Sequence, residues 1–401
     1  MNFASHNQIE ISSDDLLEEI ERAAFSFFWE SADAKAGMIS DRGLAAGDGP
    51  GTVSSVASTG FGLTILCIGD SRSYANAGEI AARVKITLEF LWNQMPHERG
   101  FFYHFVDKTS GARAFQSEVS VIDTSILLCG ILTCRAHFVD AEIRRLATQI
   151  YERVDWPWML NGGDTFAEDW TPESGFSPTR WDQYSELMMM YLLALGSPTH
   201  PIPPSCWQAW RRPKFTYNGS TYICGDPGLF THQYSHAWFD FRGQSDLFAN
   251  YFQNSIAATI AHRDFCISLA GRFPHYSTDL WGITASDSPS EYVAWGGPPE
   301  HGPIDGTIVP CAAAGSIPFL SEDCIGVLHN IRRSYPRAWQ RYGFVDAFNP
   351  ATDWYDKDVV GIDVGIAALM AENHRTAWVW RTFMKNPEAV KAMSLAGFTP
   401  D

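Results

Sequence analysis

Apolar residues recur at helical spacing from one end of this chain to the other. Ser12 or Ser13 stands ahead of a stretch in which Leu16, Leu17, Ile20, Ala23, Ala24, Phe27 and Phe28 share one face, which predicts a capped first helix. The same periodicity predicts helices over about 53–70, 75–95, 118–137, 140–154, 182–196, 246–271, 313–329, 331–340, 362–374 and 376–396. Period-two alternation is confined to short pieces. These are FFYHFV at 101–106 with GARAF returning at 111–115, and KFTYNGSTYIC at 214–224 around an Asn-Gly turn. No Gly/Ser tract, Pro tract or charge block divides the chain, so residues 1–401 read as one all-α domain with short β-hairpins in its loops. Helices in pairs joined by long loops suggest an α/α toroid, an inner ring packed inside an outer one with a cleft at one end. Loops at 36–52, 155–181, 198–204, 224–245, 272–312 and 342–361 are long enough to carry function.

Composition narrows the partners. A formal charge of −17 argues against nucleic acid or an anionic membrane surface, since either needs a basic face. A neutral substrate is compatible with it. The apolar runs LTILCIG at 63–69 and ILLCGIL at 126–132 are too short to span a membrane. MNFASHNQIEISSDDLLEEIE shows no basic region followed by an apolar one, so a cytoplasmic location is expected, or a periplasmic one if a leader has been removed. Eight cysteines include no CxxC pair and read as buried free thiols.

Aromatics reach 14% with 15 Trp, and they concentrate beside hydrogen-bonding groups in GLFTHQYSHAWFDFR at 228–242. A sugar ring needs both, because it has an apolar C–H face and a rim of hydroxyls. A Trp- and Tyr-rich core segment with locally satisfied polar tips has the same composition. Carboxylates are the natural chemistry, because glycosidic hydrolysis takes one acid and one base or nucleophile. Glu186 closes WDQYSE and runs into an apolar helix, where desolvation would retain its proton and the helix N-terminus would partly oppose that. Asp363 in GIDVGIAALMAEN stands at the mouth of another such helix. Each also fits a plain first-turn acid. Glu118 and Asp123 form a third such site, but five residues apart on a helix they do not share a face, so at least one reads as structural. Asp287 and Asp305 read as turn residues. His232 and His236 lack the third ligand of a metal motif, and there is neither a P-loop Lys nor a G-x-S-x-G elbow. No metal and no cofactor are expected.

These segments, taken in order, resemble the glucoamylase-like family of bacterial proteins. That family includes the endo-β-1,2-glucanases of glycoside hydrolase family 144 and is related to the glycoamylase-like domain of cyclic β-1,2-glucan synthases. The marks are FFWE at 27–30, GMISDR at 37–42, STGFG at 58–62, GFFYHFVD at 100–107, SEVSVIDTSILLCGIL at 117–132, YSE before LALGSPTHP, LFTHQYSHAWFDFR, WGITASD, DGTIVP, and YGFVDAFNP before GIDVGIAALMAEN. The resemblance implies an (α/α)6 barrel and inverting hydrolysis of β-1,2-glucan, with Glu186 as general acid and Asp363 as the base that activates water. The chain departs from the family around SEVSVIDT, where Ser120, and Gln116 just ahead of the segment, stand in place of acids while Asp123 matches one. Glu118 and Asp123 are then candidates for catalysis or its support. Asp41, Arg42, Phe102, Tyr103, Trp181, Tyr184, Gln233, Tyr234, His236, Trp238, Arg242 and Trp281 are expected to line the glucan subsites. A transglycosylase or exo-acting enzyme of the same fold, or a carbohydrate-binding protein without catalysis, are the alternatives.

Overall fold

The computed structural model describes residues 11–47, 49 and 51–401. The stretch at 1–10 read for a leader, and Asp48 and Pro50 of the Gly-rich loop, lie outside the described residues. Among those described, 47% are helical and no sheet closes. The first helices are α1 (Ser13–Ser31), α2 (Val56–Ser71), α3 (Ala77–Asn93), α4 (Val121–His137), α5 (Ala141–Glu152), α6 (Trp156–Leu160), α7 (Met188–Gly196) and α8 (Ser205–Ala209). They continue with α9 (Tyr234–Trp238), α10 (Tyr251–Ser268), α11 (Pro310–Ala314), α12 (Ser321–Ser334), α13 (Gly361–Thr376), α14 (Trp378–Phe383) and α15 (Pro387–Leu395). No helix among the described residues is long and apolar enough to cross a membrane.

Two kinds of helix follow from two sequence patterns. α1 and α5 are amphipathic and bury one stripe, whereas α2, α4, α7 and α13 are buried nearly all round and form the centre. Ser12, Ser55 and Ser120 cap α1, α2 and α4, each accepting a backbone N–H of the first turn. α2 and α4 approach through glycines: a Cβ on Gly130 would collide with the Gly60 backbone. Further along the same pair the Cys67 and Cys134 sulfurs lie 3.5 Å apart, so the helices run parallel. α13 runs parallel to α2 as well, with Gly361 against Ser58, Gly365 against Phe61, and Glu372 bonded to Arg72 at 2.6 Å. The N-termini of α2, α4 and α13 therefore lie at one end. Short ribbons roof that end, pairing Arg42–Leu44 with Asp358–Val360, Val53–Ser55 with Phe105–Asp107, and Val119–Ser120 with Asp169–Thr171.

The structure corrects several element boundaries. The helix expected over 182–196 begins only at Met188, leaving Glu186 in a turn ahead of it. The two helices expected over 313–340 are one, Ser321–Ser334, ended by Pro336 and preceded by the separate short α11. The stretch at 376–396 is interrupted at Asn386-Pro387. The hairpin at 214–224 forms around Asn218 and Gly219, both at positive φ. Phe101–Phe102, by contrast, pairs with His97–Glu98, and only an isolated bridge joins Val106 to Arg113.

Candidate active site

The roofed end gathers carboxylates that are far apart in sequence. Asp363 is the third residue of α13 and 6% exposed, and its Oδ1 accepts the Cys311 thiol at 3.2 Å. Burial raises its pKa, against the pull of hydrogen bonds from Asp346 and Cys311. Glu186 is partly accessible, and its backbone carbonyl is held by the Ser235 hydroxyl at 2.7 Å. Burial of its carboxyl group pushes the pKa up to about 8, with the charges of Asp226 and Asp123 adding to the shift. The Tyr234 hydroxyl feels the charges of both Asp363 and Glu186, so it lies near both. A proton-retaining acid and a second carboxyl group with a phenol near both can carry out acid/base chemistry on a bound molecule.

A second group centres on His104. Its Nδ1 pairs with Glu118 Oε1 at 2.8 Å and its Nε2 faces Asp123 Oδ1 at 3.6 Å. Desolvation opposes the charged ring, but Asp123, Glu118 and Asp41 outweigh it and raise the imidazole to about 9, so it is an imidazolium at neutral pH. The hydrogen bond from His104 in turn holds Glu118 below its usual range. Glu118 precedes the strand Val119–Ser120 rather than sitting on α4, so it and Asp123 meet at one ring despite their mismatched helical spacing. Asp41 adjoins this group, and Arg42 bridges Asp41 at 3.2 Å and Asp287 at 2.6 Å. Asp287, expected to be a turn residue, is thus tied into this group of charged side chains. Asp305 is the turn residue expected, accepting the Thr307 N–H.

Seven expected subsite residues lie elsewhere. Phe102, Tyr184, Gln233, His236, Trp238 and Trp281 are all at most 1% exposed. The segment 228–242 is core: a 3-10 turn over Leu229–His232 and then α9. Gln233 Nε2 donates to the Ala312 carbonyl and the Ser316 hydroxyl, tying α9 to α11. Trp238 donates to Thr64 on α2 at 3.0 Å, and Tyr184 is paired with His232. His236 bonds Ser255, and burial pushes its pKa down to about 3, so it is a neutral ring. Arg242 stacks on Trp380 beyond the C-terminus of α13, the opposite end of that helix from Asp363. Asp41, Arg42, Tyr103, Trp181 and Tyr234 do face the roofed end: Tyr103 bridges to Val119 and Trp181 donates to the Glu168 carbonyl.

Sequence reasoning passed over His104, Cys311, Asp346 and Tyr292. The Tyr292 ring is largely exposed, but burial of its hydroxyl and the charges of Asp363, Asp346 and Asp287 raise its pKa well above the ordinary value. Three of the four lie within or beside segments whose resemblance was visible: His104 in GFFYHFVD, Cys311 after DGTIVP and Asp346 in YGFVDAFNP. Two sets among the described residues bring three ligand-type side chains within 4.8 Å of one another: His104, Glu118 and Asp123, and Asp287, Asp346 and Asp356. An imidazolium already compensates the first, and Arg42 partly compensates the second.

Residues 178–387 match the Glycoamylase family model, described as "Putative glucoamylase". The chain belongs to this family. A curated relative is the exo β-1,2-glucooligosaccharide sophorohydrolase (non-reducing end) of Parabacteroides distasonis, 28% identical over 96% of this chain. The chain spans 58% of that relative's length. Among solved structures, a "putative glucoamylase" from Bacteroides uniformis superposes with a TM-score of 0.90 at 26% identity, covering 98% of this chain and 99% of that one. The endo-β-1,2-glucanase from Chitinophaga pinensis, in complex with sophorotriose and glucose, superposes with a TM-score of 0.87 at 26% identity, covering 97% and 99%. This glycoamylase-family chain thus shares its fold over nearly its whole length with an endo-β-1,2-glucanase solved in complex with sophorotriose and glucose.

Proposed function

We propose that this protein is a glycoside hydrolase that cleaves β-1,2-linked glucan by an inverting acid/base mechanism, without a cofactor. The observation that carries the reading is Glu186, a carboxyl group held protonated up to about pH 8 in the same cleft as Asp363. Glu186 would protonate the glycosidic oxygen as the C–O bond breaks. Asp363 would accept a proton from the water that attacks the anomeric carbon from the opposite face. Proton exchange with solvent then returns Glu186 to its acid form and Asp363 to its carboxylate. Tyr234, Tyr103, Trp181 and the Asp41–Arg42–Asp287 bridge are the polar and aromatic groups available to hold the glucan. The names of the relatives support the linkage.

The architecture belongs to the same proposal. Residues 1–401 form a single domain, with α2, α4, α7, α9, α11 and α13 as the inner ring of an (α/α)6 barrel. Support comes from the parallel course of α2, α4 and α13 and the shared burial of all six.

Incubation with linear β-1,2-glucan, sophoro-oligosaccharides and maltooligosaccharides, with products followed by chromatography, tests the reading. Sophoro-oligosaccharides from the first substrate are expected. A ladder of lengths would mark endo cleavage, and sophorose alone would mark the exo mode named for the Parabacteroides relative. Products longer than the substrate would mark transglycosylation, and binding without turnover a carbohydrate-binding protein.

A further inference from the structure

Behind Asp363 stands a second carboxyl group that the reaction scheme leaves unused. Asp346 is 4% exposed, and its Oδ2 accepts the Asp287 backbone N–H at 2.7 Å. Its Oδ1 is buried and meets no N–H or hydroxyl donor among the described residues, and the same holds for Asp363 Oδ2. The two carboxyl groups line one small cavity with Cys311, close enough to share a proton, and each has an oxygen that no other donor meets. Two ionised carboxylates cannot hold that contact in a buried site, so one proton must lie between them.

The surroundings decide which group carries it. Asp363 has a further donor, the Cys311 thiol at 3.2 Å, to stabilise a negative charge. Asp346 lies among Asp363, Asp287 and Asp356 and near the Tyr292 hydroxyl, while Asp363 in turn feels the charges of Asp287 and Asp41. Among the described residues, Arg42 feels the charge of Asp346 but is bonded to Asp41 and Asp287, and the His104 imidazolium is held by Glu118 and Asp123. We propose that Asp346 is a protonated positioning residue whose Oδ1–H donates to Asp363 Oδ2, fixing that carboxylate's orientation and keeping it ionised. Burial and the charge of Asp363 push Asp346 well above the usual carboxylate range, in agreement with that assignment. During turnover the proton from water goes to Asp363 while Asp346 keeps its own.

The inference rests on Asp363 being the base, so Asp363→Asn is assayed in parallel. In Asp346→Asn the amide can donate to Asp363 and its oxygen can still accept the Asp287 N–H. Asp346→Ala removes both. Asp346→Ala is expected to lower kcat roughly tenfold or more with little change in KM, and to move the acid limb of the kcat/KM profile to higher pH. Asp346→Asn is expected to recover most of that loss. Asp346→Asn as inactive as Asp346→Ala, with both folded and still binding sophorotriose, would overturn the inference if Asp363→Asn is also inactive. Activity in Asp363→Asn would sink the base assignment instead. An infrared difference spectrum of wild type against Asp346→Asn at neutral pH reads the proton directly, whatever the activities. Loss of a carboxylic-acid C=O band supports the proposal, and loss of a carboxylate band refutes it.

Discussion

Glu186 and Asp363 are both acids at the mouths of apolar helices, and the proposed mechanism gives them different work. Burial and neighbouring negative charges raise both groups, but for Asp363 hydrogen bonds from Asp346 and Cys311 pull the other way and favour its charged form. Glu186→Gln keeps the shape and removes the proton, so turnover should fall roughly 10²-fold or more with binding of sophorotriose preserved. Activity within a few-fold of wild type would move the acid to Asp123 or Glu118. The pH profile follows with a definite sign. The working form needs Glu186 protonated, so kcat/KM should decline as pH rises through about 8. It needs Asp363 ionised, so the profile should also decline on the acid side. A basic limb unchanged in position by Glu186→Gln in its residual activity would dissociate that pKa from Glu186. Trp238, once expected in a subsite, should behave as core. Trp238→Phe forfeits the bond to Thr64 and is expected to cost roughly 1 kcal/mol of stability, read by chemical denaturation, with KM unaltered.

At the level of elements, the cleft depends on how closely the central helices approach. The contact between α2 and α4 is made backbone to backbone at Gly60 and Gly130, where no side chain can rotate away from an added methyl group. Gly130→Ala should therefore destabilise by roughly 1–3 kcal/mol in denaturant unfolding. Because Asp123 rides on α4 and Asp363 on α13, which packs on α2, kcat should fall in the same variant. An unchanged melting curve would mean that the two helices can separate freely. The other end of the bundle is tied by charge: Arg375 reaches Glu18 at 2.8 Å and Glu21 at 2.7 Å on α1, while Arg72, the residue that ends α2, reaches Glu372 on α13. The helix pattern was legible in sequence because burial on one face or on all faces leaves its period in the composition. The late start of α7 was not legible. WDQYSE continues the helical period on paper, but Tyr184 and Gln183 are drawn into contacts with Arg211, and the helix forms only after them.

For the whole molecule, a net charge of −17 and a cleft lined with carboxylates suit a neutral glucan. Linear β-1,2-glucan should be cut and starch left without glucose release. Glucose from maltooligosaccharides, with β-1,2-glucan untouched, would overturn the linkage. Activity should survive chelation. A loss restored by Ca²⁺ would place an ion among Asp287, Asp346 and Asp356, and it would also contradict a proton on Asp346.

The sequence by itself determined the helical composition, the acids at helix mouths, and, through ordered motifs, the family. Periodicity and capping are local, and so they survive in one dimension. Only the tertiary structure decided which aromatics are core. Tyr234 and Trp238 sit four residues apart on one short helix, yet one hydroxyl feels the charges of Glu186 and Asp363 while the other ring is sealed against Thr64. Composition cannot separate them, because a sugar subsite and a wet-edged core call for the same side chains. The convergence of Glu118 and Asp123 on His104, of Arg42 on Asp287, and of Asp346 on Asp363 was equally hidden. Those contacts join segments of the roofed end that only the packing of parallel helices brings together.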